Sequence, residues 1–227
     1  MLSSLRWLAL EVKYLDPAGE FYERHLDLPL AEQREAELVF DAGGTDLVLR
    51  RPSGVPRGGL HVHYAFATPP DRYDDWWERL SRRFDLTEHR FGSARSLYFY
   101  DLEGNCVEIG QRGEGDRDIA GIFEVVLEVE DLDRAEAFYT TLGLDVTNRG
   151  AERRRVRLTT GAFDLELWEP HLGLADARGG VHADVGIEAE DPTAAAERVG
   201  GQACDVEPLA EGVRVRDPDG HYVTLVP

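Results

Sequence analysis

The chain has 227 residues, with 44 Asp and Glu against 25 Lys and Arg, and a formal net charge of −19. That length holds one large domain or two ordinary ones with ample core. So acidic a chain argues against a nucleic-acid binder, which needs a basic patch for phosphate. Only Cys106 and Cys204 are present, which excludes a disulfide framework and a cysteine-rich zinc motif.

No apolar run approaches membrane-spanning length, and the opening residues are too mixed for a signal peptide. A cytoplasmic location without membrane attachment is therefore expected. Lys13 is the single lysine and every other basic residue is arginine. An acid-rich, lysine-poor composition resembles that of salt-adapted proteins, whose self-repulsion is screened where the Debye length falls to a few ångström.

In chain order, Trp7–Val12 alternates as a strand, and Asp16 is placed to cap a helix with Phe21 and Tyr22 on its apolar side. Strands follow near 37–41 and 45–50, with a short one before them. Pro52–Gly59 reads as a link rich in Gly and Pro. A strand over 60–67 carries His61 and His63 on one face, since residues i and i+2 project to the same side. A helix from Asp71 to Phe84 carries Trp76, Trp77 and Leu80, and strands follow near 87–91, 95–100 and 105–110. Residues 113–120 read as a linker.

The order then repeats. Leu10-Glu-Val-Lys-Tyr-Leu-Asp-Pro-Ala-Gly-Glu-Phe-Tyr22 returns as Leu127-Glu-Val-Glu-Asp-Leu-Asp-Arg-Ala-Glu-Ala-Phe-Tyr139. Gly58-Gly-Leu-His-Val-His63 returns as Gly179-Gly-Val-His-Ala-Asp184, and Asp101-Leu-Glu-Gly-Asn-Cys-Val-Glu108 as Asp217-Pro-Asp-Gly-His-Tyr-Val-Thr224. The halves are a duplication, and each divides again. The expected fold is α+β, with four tandem βαβββ modules at 1–57, 58–112, 121–178 and 179–227. These make two domains, 1–112 and 121–227, whose half-open mixed sheets have a concave side suited to a pocket.

With these motifs on nearly the whole chain, the sequence resembles the vicinal oxygen chelate superfamily, which includes glyoxalase I, extradiol dioxygenases and the bleomycin and fosfomycin resistance proteins. The resemblance implies a metal-ligand position on the first and last strand of each module. Those positions are Trp7 and Val48, His63 and Glu108, Glu124 and Glu166, and Asp184 and Thr224. Pairing module two with module three gathers His63, Glu108, Glu124 and Glu166. Module one with module four then leaves a spent set, and this cross-half pairing is the expected one.

The resemblance thus implies one divalent ion (Mn, Ni, Co, Zn or Mg) on those four residues, with Glu108 at the position of the glyoxalase I base. The donor set is oxygen-rich, and three carboxylates converging without a cation would repel one another. His61, Tyr98, Trp168, Arg95 and Cys106 are candidate pocket residues, although a small buried thiol is the ordinary fate of a cysteine like Cys106. His25, His89 and His171 are expected on surface loops and His221 in a turn. The expected activity is of glyoxalase-like lyase or isomerase type on a small oxygenated molecule. The alternative is a metal-free protein that sequesters a small molecule, as in the antibiotic-resistance branch. An extradiol dioxygenase ranks below both, because a second ligand histidine is missing. Cross-half pairing within one chain is compatible with a monomer or a homodimer.

Overall fold

The computed structural model describes residues 1–52, 62–150, 154–170 and 183–227. Module one runs β1 (Leu2–Glu11), α1 (Leu15–Leu26), β2 (Leu30–Gln33), β3 (Glu37–Asp41) and β4 (Asp46–Arg50). Module two runs β5 (Val62–Thr68), α2 (Tyr73–Ser81), β6 (Thr87–Phe91), β7 (Ala94–Tyr100) and β8 (Cys106–Gln111). Module three runs β9 (Ile122–Glu128), α3 (Leu132–Leu142), β10 (Asp145–Arg149), β11 (Arg155–Thr159) and β12 (Asp164–Trp168). Module four runs β13 (Ala183–Ala189), α4 (Pro192–Val199), β14 (Asp205–Leu209), β15 (Gly212–Arg216) and β16 (Tyr222–Val226). The βαβββ order holds four times.

The strands form two eight-stranded mixed sheets. The first has the order β14-β15-β16-β13-β1-β4-β3-β2 and the second β10-β11-β12-β9-β5-β8-β7-β6. Antiparallel pairs β1·β13 and β5·β9 form the two centres, so module one joins module four and module two joins module three. Each sheet combines one module from each half of the chain.

Local chemistry sets the helix limits. Asp131 caps α3 by accepting from Arg134 N, and Asp191 caps α4 by accepting from Ala194 N, with Pro192 opening the helix. At α1 the expected cap, Asp16, lies inside the first turn, and Tyr14 at the boundary makes no side-chain cap. Asp16 instead places a negative charge at the helix N-terminus. The expected 71–84 helix is shorter, at Tyr73–Ser81. Trp76 is buried in the core while Trp77 is half-buried against it, as adjacent helix positions require. No described helix is long and apolar enough to cross a membrane.

The two most repetitive motifs turn out to be partners. Tyr22, which ends the first Phe-Tyr pair, donates to the buried Asp101 of module two at 2.7 Å. Tyr139, which ends the second pair, donates to Asp217 of module four at 2.9 Å. Each aspartate also closes its own turn, accepting from the backbone of Glu103 and Asn105, or of Asp219 and His221. These bonds satisfy carboxylates that would be costly to bury bare, and they join the modules within each half. Pairing across halves comes from the sheets.

The linker seals the junction. Ala67 N donates to Gly121 O and Ala120 N to Ala67 O, both at 2.8 Å. Gly43, with φ of 85°, packs so close to the backbone of Ile119 and Ala120 that a Cβ would lie 2.6 Å from the Ile119 oxygen. Only glycine fits that turn and that approach together.

Candidate metal centre

Strand parity and register bring the chemistry of the second sheet to one face. His63 on β5 lies two residues from Ala65, and Ala65 pairs with Glu108 on one side and Glu124 on the other. Glu166 on β12 lies opposite Val126, two residues beyond Glu124. All four polar side chains are buried: His63 is 8% exposed, Glu108 4%, Glu124 5% and Glu166 2%.

One ligand atom each from His63, Glu108 and Glu124 lie within 4.8 Å of one another. His63 Nε2 is 3.0 Å from Glu108 Oε2. Donors about 2.0–2.2 Å from a shared divalent ion sit roughly 3–4 Å apart, so this imidazole and two carboxylates fit one with little contraction. Among the described residues no other group of three such side chains converges in this way.

Glu166 is the member of the expected four that does not join. Its Oε1 accepts from Arg155 and, at 2.6 Å, from Arg157 Nε, while its Oε2 accepts from Trp168 Nε1 at 2.6 Å. Arg157 also reaches Glu124 Oε2 with Nη2 at 2.8 Å. A guanidinium therefore bridges the two carboxylates of module three, and that bridge is what holds Glu166 away. Three carboxylates against two guanidiniums leave one negative charge. Either a protonated His63 or a divalent ion would offset it.

The titrations follow this geometry. Burial works against the charged form of His63, but the hydrogen bond and charge of Glu108, with Glu124 and Glu166 behind it, raise its pKa overall. Burial also opposes charge on Glu108, yet hydrogen bonds from His63, Ser96 and Tyr98 hold its carboxyl below the usual range. Glu124 goes the other way. Burial and the nearby Glu166 push its carboxyl up to about 7, even with Arg157 beside it.

A pH dependence follows. The raised Glu124 stabilises the fold fully below the ordinary glutamate pKa and loses that contribution as pH rises through about 7. The raised His63 acts in the same sense, over a window beginning at 6.5. Chelator-treated protein is therefore expected to lose stability, on the order of 2–3 kcal/mol, between pH 5 and pH 8. Urea unfolding across that range measures it, and a flat profile would mean that these groups do not titrate on folding.

The other candidates separate cleanly. Tyr98 sits opposite Glu108, its ring 5.6 Å from that of His63, and burial followed by the charge of Glu108 raises its phenol pKa. Cys106 is buried opposite His63 with its thiol pushed up to about 12, chiefly by burial, and so is unreactive. Trp168 lines the face beside Glu166 but with its indole N–H committed there. Arg95 is a correction: it lies on the other face of β7, stacked on Tyr73 and bonded to Asp74 at 2.8 Å. Odd parity relative to Tyr98 turns it away from the centre. His61 lies outside the described residues, as does His171.

Three of these side chains were missed in the sequence: Arg155, Arg157 and Ser96. Of the histidines expected on surface loops, His25 instead sits in the last turn of α1, and His89 on β6, within the strand expected at 87–91, with its ring 5.3 Å from that of Tyr98.

The corresponding positions of the first sheet are Trp7, Val48, Asp184 and Thr224. Trp7 lies across β13, so close that a Cβ on Gly186 would be 2.3 Å from its ring. Asp184 accepts from Arg50 at 2.6 Å and Thr224 at 2.7 Å, with Arg214 at 3.3 Å. One carboxylate with its own cations remains there.

This architecture, two paired-module sheets made from a duplicated half, is the fold of glyoxalase I structures. A maize glyoxalase I structure superposes with a TM-score of 0.75 at 19% identity, covering all of this chain and 92% of that one. A Bacillus subtilis protein described provisionally as a dioxygenase superposes with a TM-score of 0.79 at 18% identity, over 99% of this chain and 85% of that one. No family model and no curated protein matches the sequence.

Proposed function

We propose that the chain is a divalent-metal-dependent enzyme of vicinal-oxygen-chelate type, a lyase or isomerase acting on a small oxygenated molecule at this face of the second sheet. The convergence of His63, Glu108 and Glu124 within 4.8 Å carries this reading. These three would hold the ion, and Glu166 stays with its arginines. When bound, the ion supplies Lewis-acid stabilisation of negative charge on substrate oxygen. Glu108, ionised at neutral pH by its hydrogen bonds, is placed to accept a proton from carbon next to a carbonyl. Tyr98 and Ser96 orient that carboxylate. One histidine with two carboxylates is not the two-histidine, one-carboxylate set of non-haem iron oxygenases, which weighs against extradiol chemistry.

A second reading is a metal-free small-molecule binder. It is favoured by Arg157, which already supplies Glu124 and Glu166 with a cation. Elemental analysis of the purified protein, before and after chelation and reloading, separates the two. Near-stoichiometric divalent metal is expected, lost by at least tenfold in affinity in His63→Ala, since one good ligand bond is worth well over 1.4 kcal/mol. Failure of any divalent ion to bind, before or after chelation, would leave only the binder.

A further inference from the structure

Outside the metal centre, the least expected feature is a basic cavity on an acidic molecule. It has a volume of about 210 Å³ and lies where the C-terminal ends of α1 and α2 meet, lined by Arg24, His25, Arg79, Leu80, Arg82 and Arg83. Two of these arginines are committed. Arg79 ion-pairs with Asp27, donates to His25 O at 2.5 Å and stacks over Trp76, and Arg82 pairs with Glu78. Arg24 and Arg83 have no ion pair among the described residues. His25 is held edge-on between Phe21 and Phe84, with ring centroids 5.1 and 5.0 Å away.

The duplication provides an internal control. In the other half, α3 and α4 meet in the same way. Val199 O accepts from Gln202 N and Ala203 N, just as Leu80 O accepts from Arg83 N and Phe84 N. The stapling arginine is kept too, with Arg198 donating to Leu142 O at 3.5 Å where Arg79 donates to His25 O. Counting from the matched Phe-Tyr pairs and from these turns, Arg24, His25, Arg82 and Arg83 are matched by Thr141, Leu142, Gly201 and Gln202. The fold therefore needs the one stapling arginine and none of the other basic groups. Nor does favourable interaction with helix C-termini demand them, because α3 has no basic residue in its last turn.

We infer that the α1–α2 junction is a binding site for a small phosphate-type oxyanion, held by Arg24 and Arg83 with Arg82 and His25 at its rim. Guanidinium groups suit this class because they donate paired hydrogen bonds in a planar fork. A net charge of −19 repels anions from the molecule as a whole, so retention of one requires such a local concentration of cations. The arginines already act on their neighbour. Burial, followed by the charges of Arg83, Arg24 and Arg79, lowers the pKa of His25, leaving a neutral ring that can still donate one hydrogen bond.

The test is titration of the full chain with inorganic phosphate at constant ionic strength balanced by chloride, followed by calorimetry and by the ring resonances of His25. Saturable binding is expected, with the His25 pKa rising as the anion offsets the three guanidiniums. The Arg24→Gln/Arg83→Gln double variant should weaken it by about tenfold or more, given two charge-assisted hydrogen bonds lost. Arg134→Gln, in the other half, should leave it unchanged. Tighter binding of glycerol phosphate than of inorganic phosphate would identify the occupant as a phosphate ester, and the reverse as the free ion. No saturable change, an equal response to chloride, or undiminished binding by the double variant would each overturn the proposal. The His25 resonances report whether the double variant keeps the native junction, so loss of fold and loss of site are told apart.

Discussion

Arg157→Met is expected to destabilise chelator-treated protein by about 3–5 kcal/mol, the usual cost of removing one partner from a buried ionic group. For a chain of this size that lowers the melting temperature by roughly 10 °C. Arg157 is half-buried, and it alone touches both Glu124 and Glu166, at 2.8 and 2.6 Å. Methionine keeps much of its volume but leaves Glu124 beside Glu166 with no cation between them. Arg155 would still serve Glu166, so the loss falls mainly on Glu124, whose pKa is already raised. Saturating Mn²⁺ or Zn²⁺ should restore much of the lost stability, because an ion on His63, Glu108 and Glu124 replaces the missing charge. Thermal melts of wild type and variant, with chelator and with metal, make the comparison. If the variant is destabilised equally with and without metal, Glu124 is not a ligand and the internal-cation reading stands. If it is as stable as wild type in chelator, the bridge contributes nothing.

Glu108→Gln is expected to reduce turnover by about 10²–10⁴-fold, the range for loss of a positioned general base, while KM changes much less. Glutamine keeps an oxygen able to face the ion but cannot accept the substrate proton. Exchange of the substrate's carbon-bound hydrogen with solvent deuterium reports the step directly and should vanish with turnover. A second readout needs no substrate. Glu108 is the nearest anion to His63, at 3.0 Å, so the metal-free variant should show a lower His63 pKa by NMR. Retained exchange in Glu108→Gln would remove Glu108 from proton transfer. An unchanged His63 titration would show that the pair seen here does not form in solution.

Much of this centre could be read from the resemblance, which puts His63, Glu108, Glu124 and Glu166 at ligand positions on the first and last strands of modules two and three. Strand parity alone singled out only His61 and His63 as sharing a face. The state of Glu166 could not be read that way. Arg155-Val-Arg157-Leu does alternate, which puts both arginines on one face, but which face depends on the register Arg157↔Glu166 and Arg155↔Trp168. Register is set by the hairpin and the sheet, not by the strand's own pattern. Arg95 shows the opposite lesson, since its parity against Tyr98 already excluded it from the face that carries the centre. The pairing of Tyr22 with Asp101 was hidden for another reason. Both residues were visible as repeated motifs, but each motif was matched to its copy, whereas its physical partner is the other motif.

The exchange of modules between sheets has a consequence for how the protein is made. β1 is complete after Glu11, but its antiparallel neighbour β13 begins at Ala183. A nascent chain leaving the ribosome must therefore carry the buried face of β1 and β4 without its central partner until Ala183–Ala189 has been made. The second sheet closes sooner, since only α2, β6, β7 and β8 lie between the paired strands β5 and β9 in the chain. Synthesis thus completes the sheet carrying His63, Glu108 and Glu124 first, and the first sheet is sealed only when module four arrives.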